Sequence, residues 1–248
     1  MIEVRNLCKR FGPQPVLEDV SLYIEAGESV VIIGRSGGGK SVLLKHLVGL
    51  LTPDSGEVRI EGRNIAGLDE RELMPIRRKF GMLFQGAALF DSMSVGENIA
   101  FALRHQTDLT GPDIARKVAH ALELVELHDI QNKKPSELSG GMRKRVGLAR
   151  AIVYQPAIIL YDEPTTGLDP VVSDSIDRLI MRINNQLDAT TIVVTHDMRS
   201  ARRLGRRIIM LHQHRVYTTA PAAELFESTD PVISRFVNGI SDDRENLE

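Results

Sequence analysis

The sequence predicts an α/β fold in which a mostly parallel sheet carries helices on both faces. Short continuous apolar runs, such as SVVIIG and AIILYD, are typical of parallel strands that are buried on both faces. From residue 157 onward, such runs alternate with segments whose apolar residues recur at helical spacing. Strand–helix alternation of this kind is the pattern of a parallel sheet.

The first part of the chain is predicted to be mainly β. Apolar and polar residues alternate in some of its segments, and others are short buried runs. Strands are predicted over residues 2–11, 16–25, 29–34, 56–62 and 80–84. One helix is predicted over residues 39–51, where apolar residues recur at helical spacing.

The second part is predicted to begin with helices and to continue as strands and helices in alternation. Residues from about Ser94 to Tyr154 are expected to be mostly helical, with breakers at Gly111-Pro112 and Pro135-Ser136. Strands then follow over residues 157–162, 191–196 and 207–211, with helices over about 171–187 and up to 204.

The C-terminal tail is predicted to be helical. One apolar helical face is formed by Val232, Ile233, Phe236 and Val237. This face is expected to pack either on its own domain or on a partner. Residues 241–248 are expected to be frayed, with Leu247-Glu248 either native or a cloning remnant.

Composition and charge restrict the classes of function. The 31 basic and 33 acidic residues give a net charge of -2, without the basic excess that is usual in nucleic-acid-binding domains. A single cysteine, Cys8, excludes an internal disulfide and a cysteine cluster for zinc, and fits a reducing compartment. The first residues lack a signal-peptide core, and no apolar run approaches the roughly 20 residues that a membrane-spanning helix needs. A function at a membrane would therefore require another protein to hold the chain there.

A phosphate-binding loop is predicted at residues 34–41. The segment GRSGGGKS matches the pattern G-x-x-x-x-G-K-[ST], and it lies between a predicted strand and a predicted helix. In such a loop Lys40 reaches the β- and γ-phosphates, and the Ser41 hydroxyl binds Mg²⁺. A chance glycine-rich turn does not account for the full pattern in this context.

Four polar residues follow predicted buried strands, where ligands bind in open α/β sheets. Asp162 is a candidate Mg²⁺ ligand, and Glu163 is a candidate general base for activating water. His196 follows another strand. It is interpreted as a functional residue at this edge of the sheet, and the alternative interpretation is a histidine with a purely structural role. Gln85 carries an amide that can sense the γ-phosphate or a metal-bound water.

A second glycine-containing loop, ELSGGMRKRV at residues 137–146, leads directly into a predicted helix. Free N–H groups and the helix dipole at such a position favour an anion. Arg143, Lys144 and Arg145 follow the loop and are interpreted as balancing phosphate charge. These residues alone do not indicate which molecule carries the phosphate.

Taken in order, GRSGGGKS, Gln85, LSGGM, ILYDE, GLD and His196 resemble the ATP-binding cassette of ABC transporters over about residues 1–220. The resemblance implies a P-loop NTPase fold with a mostly parallel RecA-like sheet and an N-terminal antiparallel β subdomain. It also implies an inserted helical subdomain over about residues 86–157, and it leaves residues 221–248 as a C-terminal helical tail.

The same resemblance implies the cofactors ATP and Mg²⁺ and the residues that contact them. Glu163, His196 and Gln85 would act in catalysis, and the metal would be held by Ser41, Gln85 and Asp162. The adenine would stack on Phe11, and Val42 would contribute only backbone contacts, because it lacks the hydroxyl that is usual there. The expected nucleotide contacts are Phe11, Gly34, Arg35, Ser36, Gly37, Gly38, Gly39, Lys40, Ser41, Val42, Ser139, Gly140, Gly141 and Asp169.

Three segments are similar to the ATPase subunit of Mla-type phospholipid transporters: GRSGGGKSVLLK, FQGAALFDSMSVGENIAF and LSGGMRKRVGLARAI. In that family the cassette drives a permease that is joined to a lipid-binding MCE protein. The resemblance implies a peripheral location on the cytoplasmic face of the inner membrane. It also implies a head-to-tail dimer, in which residues 139–141 of one copy grip the γ-phosphate bound by Lys40 of the other.

Other functions are open at this stage. One is a cassette ATPase with a different cargo, such as a lipoprotein or an amino acid. Another is a soluble cassette ATPase that acts on DNA or the ribosome, although such proteins usually carry two cassettes, a long coiled coil or zinc cysteines. The arginine-rich residues 198–207 are either a headgroup or nucleic-acid patch or a solvated helix face. The apolar opposite side of that helix favours the solvated face, and no nucleic-acid partner is expected.

Overall fold

Ten strands and nine α-helices are defined in the computed structural model, which describes residues 1–240. The strands are β1 (Ile2–Phe11), β2 (Gln14–Ile24), β3 (Ser29–Gly34), β4 (Ser55–Ile60), β5 (Arg63–Asn64), β6 (Phe80–Leu83), β7 (Ile158–Asp162), β8 (Thr190–Val194), β9 (Arg207–His212) and β10 (Arg215–Pro221). The helices are α1 (Lys40–Leu47), α2 (Glu70–Arg77), α3 (Val95–Gln106), α4 (Gly111–Leu124), α5 (Gly140–Ile152), α6 (Pro170–Leu187), α7 (Met198–Leu204), α8 (Ala222–Phe226) and α9 (Pro231–Val237).

The strands form two sheets. The first has the order β2-β1-β4-β5 and is antiparallel throughout, which confirms the expected N-terminal antiparallel unit. The second has the order β10-β9-β3-β8-β7-β6, in which only β10 is antiparallel to its neighbour. Since β3, β6, β7 and β8 run in parallel, the residues that follow them meet at one edge of the sheet.

Strand β3 lies between two hydrophobic cores. Val30 and Ile32 face the core between the two sheets, and α1 packs into the same core. Val31 and Ile33 face the opposite core, which contains α3 to α6. This alternation explains why the sequence of β3 is a continuous apolar run.

The inserted helices α3, α4 and α5 pack against one another. Helix α3 begins at Ser94, which forms a capping box with Glu97. The segment 125–139 is less helical than the sequence predicts, because Glu126 and Asp129 adopt positive φ angles that end a helix. A 3₁₀ turn at Pro135–Glu137 precedes α5.

Helix α1 ends earlier than predicted. It stops at Leu47 rather than near residue 51, because Gly49 has a φ of 65° and its N–H turns back to the carbonyl of His46. A left-handed glycine just after the last turn is a common helix stop.

The tail helix α9 packs on its own domain. Ile233 is buried in the same core as the central sheet, and Val232, Phe236 and Val237 pack against that core. Of the two sequence-based alternatives, the intramolecular one is therefore correct within this chain. The predictions for residues 241–248 lie outside the described residues, and the division at residue 220 and the subdomain bounds 86–157 stay predictions.

Three of the five arginines in the arginine-rich residues 198–207 contact other groups of the chain, two of them in α7 and one at the start of β9. Arg203 lies 2.5 Å from Asp174, and Arg207 lies 2.5 Å from Glu28. The guanidinium of Arg202 lies 4.6 Å from the centre of the Phe226 ring. Across residues 1–240, no helix combines the length and the apolar character that crossing a membrane requires.

Candidate active site

The glycine-rich loop at residues 34–41 joins β3 to α1 and is packed too closely for side chains at two points. A Cβ on Gly34 would lie 2.6 Å from the carbonyl oxygen of Leu211. A Cβ on Gly39, whose φ is 89°, would lie 2.6 Å from the carbonyl oxygen of Val16. These glycines let the backbone form a tight cradle, which is the geometry that a polyphosphate needs.

Lys40 begins α1 with a buried side chain that is 5% exposed. Its ammonium donates to the carbonyl oxygens of Gly34 at 2.8 Å and Arg35 at 2.9 Å. Burial lowers the pKa of Lys40, and the carboxylates of Glu163 and Asp162 oppose this shift. The loop thus holds a desolvated ammonium group among its own carbonyls.

Ser41 and Asp162 form an oxygen pair beside the loop. The Ser41 hydroxyl donates to Asp162 Oδ1 at 2.7 Å, and burial raises the pKa of Asp162. Mg²⁺ binds oxygen ligands and is usually held by one or two carboxylates together with substrate phosphates. The pair fits that requirement, whereas residues 1–240 contain no cluster of three or more His, Cys, Asp or Glu that could hold a metal by itself.

Glu163 follows Asp162 and is 7% exposed. Its Oε2 lies 2.8 Å from His196 Nδ1 and accepts a hydrogen bond from Thr166 Oγ1 at 3.0 Å. Its Oε1 lies 3.9 Å from the Lys40 ammonium. The backbone of Glu163 has a φ of 50°, in the left-handed region that non-glycine residues rarely occupy. Strain of this kind is concentrated at functional sites.

Lys40, Ser41, Glu163 and His196 border one open pocket of about 240 Å³. Its lining residues are Ser36, Gly37, Gly39, Lys40, Ser41, Val42, Gln85, Glu163 and His196. The structure therefore brings together the predicted loop and the residues predicted at the ends of three strands. Gly34, Arg35 and Gly38 belong to the same loop, and Asp162 joins the site through Ser41.

The other predicted site residues lie outside this pocket. Ser139 caps α5 by accepting the N–H of Met142 at 3.2 Å, and Asp169 caps α6. Gly140 and Gly141 form the first turn of α5, and a Cβ on Gly141 would lie 2.7 Å from Val172 Cγ1. Phe11 is 50% exposed at the end of β1. The second glycine loop therefore lies outside the pocket that the first loop lines.

The basic residues after that loop are engaged within the chain. Arg143 donates to the carbonyl oxygen of Leu138 at 2.7 Å, and Arg145 pairs with Glu126 at 2.7 Å. Lys144 points inward and donates to the carbonyl oxygen of Glu163 at 3.1 Å and to that of Gln85. Sequence reasoning did not predict this contact or the one from Thr166. The only indication in the sequence was that Lys144 occupies a buried position of the helix. The basic residues on either side of it, Arg143 and Arg145, obscured this indication.

A tight phosphate loop, a serine–aspartate oxygen pair and a buried glutamate at one sheet edge define an ATPase of the P-loop class. The family model for ABC transporters matches residues 17–166. The chain therefore belongs to the ABC transporter family and is an ATPase of that family, with the cassette fold that the sequence predicts.

Relatives with different names share this cassette. The chain is 47% identical to a probable ribonucleotide transport ATP-binding protein, mkl, of Mycobacterium leprae, over 96% of this chain and 69% of that protein. It is 38% identical to the intermembrane phospholipid transport system ATP-binding protein MlaF of Haemophilus influenzae, over 98% of this chain and 92% of that protein. It is 39% identical to the methionine import ATP-binding protein MetN of Mesorhizobium japonicum, over 96% of this chain and 65% of that protein.

A solved structure has the same fold. The ATP-binding cassette MJ0796, in a dimeric post-hydrolysis state bound to ADP and Pi, superposes with a TM-score of 0.83 at 36% identity. The match covers 90% of this chain and 99% of that one.

Proposed function

We propose that this chain hydrolyses ATP to energise phospholipid transport through a separate membrane permease that works with an MCE lipid-binding protein. The observation that carries the hydrolytic part is the Glu163 carboxylate, held by His196 and Thr166 and facing Lys40 across the phosphate loop. The similarity to MlaF supports the phospholipid cargo, because it extends over 98% of this chain and 92% of MlaF.

The residues of the pocket have separate tasks in this proposal. The ammonium of Lys40 exchanges the carbonyl oxygens of Gly34 and Arg35 for phosphate oxygens when nucleotide enters. Ser41 and Asp162, together with Gln85, would hold Mg²⁺, which would neutralise phosphate charge. Glu163 accepts the proton of the attacking water.

Two side chains beside the base complete the hydrolytic group. His196 orients the Glu163 carboxylate through its Nδ1 contact. Gln85 lines the same pocket, where its amide would contact the γ-phosphate or a metal-bound water when nucleotide binds.

The second glycine loop completes the site of a partner copy. Ser139, Gly140 and Gly141 lie at the N-terminus of α5, outside the pocket of their own chain. N–H groups at this end of a helix favour an anion. A head-to-tail dimer would bring them to the γ-phosphate bound by the other copy, with Phe11 against the adenine and Asp169 at the interface. The dimeric state of MJ0796 supports this arrangement.

The proposed location is the cytoplasmic face of the inner membrane, where the permease holds the chain. The competing proposal is another cargo, which the names of the ribonucleotide and methionine relatives favour. The chain spans only about two thirds of the length of those relatives, whereas it spans 92% of MlaF.

Reconstitution tests the cargo. The chain should be co-expressed with a candidate permease and a candidate MCE protein, and the purified complex should be placed in proteoliposomes that contain a fluorescent phospholipid. ATP should drive movement of the lipid between the vesicle and an acceptor, and a Glu163→Gln complex should not support it. ATP-dependent uptake of a ribonucleotide or an amino acid without lipid movement would contradict the phospholipid proposal but leave the ATPase intact.

A further inference from the structure

Lys144 is a buried cation on the helix that follows the second glycine loop. It lies in α5, five positions after Ser139, and is 6% exposed. Burial lowers the pKa of Lys144, and the carboxylates of Glu163 and Asp162 oppose the shift. A desolvated ammonium group is costly unless its donors are satisfied.

The donors of Lys144 are directed to the backbone on either side of the pocket. Its Nζ donates to the carbonyl oxygen of Gln85, just after β6, and to that of Glu163 at 3.1 Å, just after β7. The side chains of Gln85 and Glu163 both line the pocket. One ammonium group therefore connects the peptide units of two residues that the proposed function places in hydrolysis.

The backbone that Lys144 holds is strained. Glu163 has a φ of 50°, and the loop after Gln85 contains Ala87 and Ala88 at φ angles of 60° and 47°. Arg150, on the same helix, donates to the carbonyl oxygens of Ala87 and Ala88, both at 2.7 Å. Helix α5 therefore holds this loop through two side chains, Lys144 and Arg150. Of these two, Lys144 is the one that also contacts Glu163.

We propose that Lys144 is a positioning residue for ATP hydrolysis. It fixes the positions of the Glu163 and Gln85 peptide groups relative to helix α5. This inference rests on the proposed function, because the roles of Glu163 and Gln85 belong to it. In the proposed dimer, the N-terminus of α5 faces the partner's phosphate while Lys144, little more than one turn later, holds the hydrolytic backbone of its own chain. A shift of α5 at one site would thus move the base of the other.

The test replaces the ammonium in the full-length chain and separates binding from turnover. Lys144→Met keeps a long flexible side chain without charge, and Lys144→Arg keeps the charge and can donate to both carbonyls. Lys133→Met is the matched control, because Lys133 is exposed. Phosphate release gives kcat and KM, a fluorescent ATP analogue gives Kd, and thermal unfolding gives Tm. The binding stoichiometry of the analogue gives the fraction of chains that are folded, so that kcat can be stated per folded chain.

A displacement of about 1 Å in a catalytic group can cost on the order of 100-fold in rate. Lys144→Met should therefore lower kcat by about 10- to 100-fold, with KM and Kd within about twofold of wild type. Lys144→Arg should keep about a third of kcat or more, and Lys133→Met should leave all values unchanged.

Three outcomes would overturn the proposal. The first is a kcat of Lys144→Met, per folded chain, within about twofold of wild type. The second is equal loss of kcat in the Met and Arg variants, and the third is failure of both to bind nucleotide, since Lys144 would then serve folding alone. Failure of the proposed function gives a different result: a Glu163→Gln variant that still hydrolyses ATP at a wild-type rate.

Discussion

Replacing Asp177 by asparagine should stabilise the protein, and increasingly so as the pH rises. Asp177 lies in α6, is 2% exposed, and accepts the Ser200 hydroxyl at 2.8 Å through Oδ2. Its Oδ1 has no hydrogen-bond partner among the described residues. Arg203 is 3.6 Å from Oδ2, but it is paired more closely with Asp174, at 2.5 Å. The carboxylate of Asp177 is thus buried with incomplete compensation.

The pKa sets the sign and the size of the effect. Burial raises the pKa of Asp177 from 3.8 to about 6. The folded state therefore binds the proton more tightly than the unfolded state, and stability is lost as the pH rises from below 4 to above 6. A shift of roughly 2 units at about 1.4 kcal/mol each corresponds to about 3 kcal/mol once both states are ionised.

Asparagine is neutral at every pH and can accept the Ser200 hydroxyl in the same place. Arg203 attracts only the ionised carboxylate, and this attraction is already contained in the pKa of about 6. Any repacking contributes equally at both pH values, so the change with pH isolates the carboxyl group. With folded and unfolded pKa values of about 6 and 3.8, the ionisation penalty is about 1.6 kcal/mol at pH 5 and about 3 kcal/mol at pH 8. The stability gained by Asp177→Asn should therefore grow by about 1.4 kcal/mol between these pH values.

Urea unfolding of the wild type and the variant at pH 5 and pH 8 measures this difference. Asp113→Asn, in helix α4, is the control. Hydrogen bonds from Thr110 and Arg116 lower the pKa of Asp113, so its ionisation is complete at both pH values and its effect should not change between them. A gain for Asp177→Asn that is equal at both pH values, or that shrinks as the pH rises, would refute the reasoning.

Three further predictions concern the pocket and the second glycine loop. Glu163→Gln should abolish steady-state phosphate release but keep ATP binding, because an amide cannot accept the proton of water; turnover within a few-fold of wild type would remove Glu163 from the role of base. Lys40→Ala should weaken the binding of a fluorescent ATP analogue, because a charge-assisted contact is lost; unchanged affinity and unchanged hydrolysis would mean that phosphate binds elsewhere. Gly141→Asp should prevent closure of the dimer, since two like charges at about 4 Å cost roughly 4 kcal/mol at an effective dielectric constant near 20. Gly141→Asn is its uncharged control, because both side chains meet Val172, which lies 2.7 Å from the added Cβ. Mixed dimers of Gly141→Asp and Lys40→Ala chains should occlude ATP in one site, and no occlusion above that of either homodimer, with mixed dimers shown to form, would contradict action across the interface.

The elements that sequence predicts well are those whose pattern comes from burial. The continuous apolar runs of β3 and β7 and the amphipathic spacing of α6 place these elements within about two residues of their observed bounds. Helix α2 was not predicted, because it is polar, contains Pro75, and buries only Leu73 and Ile76. Strand β10 was not predicted either, since it is an exposed edge strand without a buried run.

The pocket could be predicted because parallel topology brings strand ends together. Gln85, Glu163 and His196 are far apart in sequence, yet each follows a strand of the same sheet and all line one pocket. The role of Lys144 depends instead on how α5 packs against β6, which no local pattern specifies. The direction of a lysine within a run of basic residues is decided by tertiary packing alone.

The backbone of Glu163 has a consequence for engineering this protein. A left-handed conformation at a glutamate costs on the order of 1 kcal/mol or more, a cost that glycine avoids and asparagine reduces. Besides burial, the charge of Glu163 raises the pKa of neighbouring Asp162, but the same charge compensates the buried ammonium groups of Lys40 and Lys144. A variant library screened only for melting temperature selects on the balance of these effects and not on turnover, so it does not reject a stable but inert cassette with glycine or asparagine at position 163. Improving the stability of this protein requires a turnover assay alongside every melting curve.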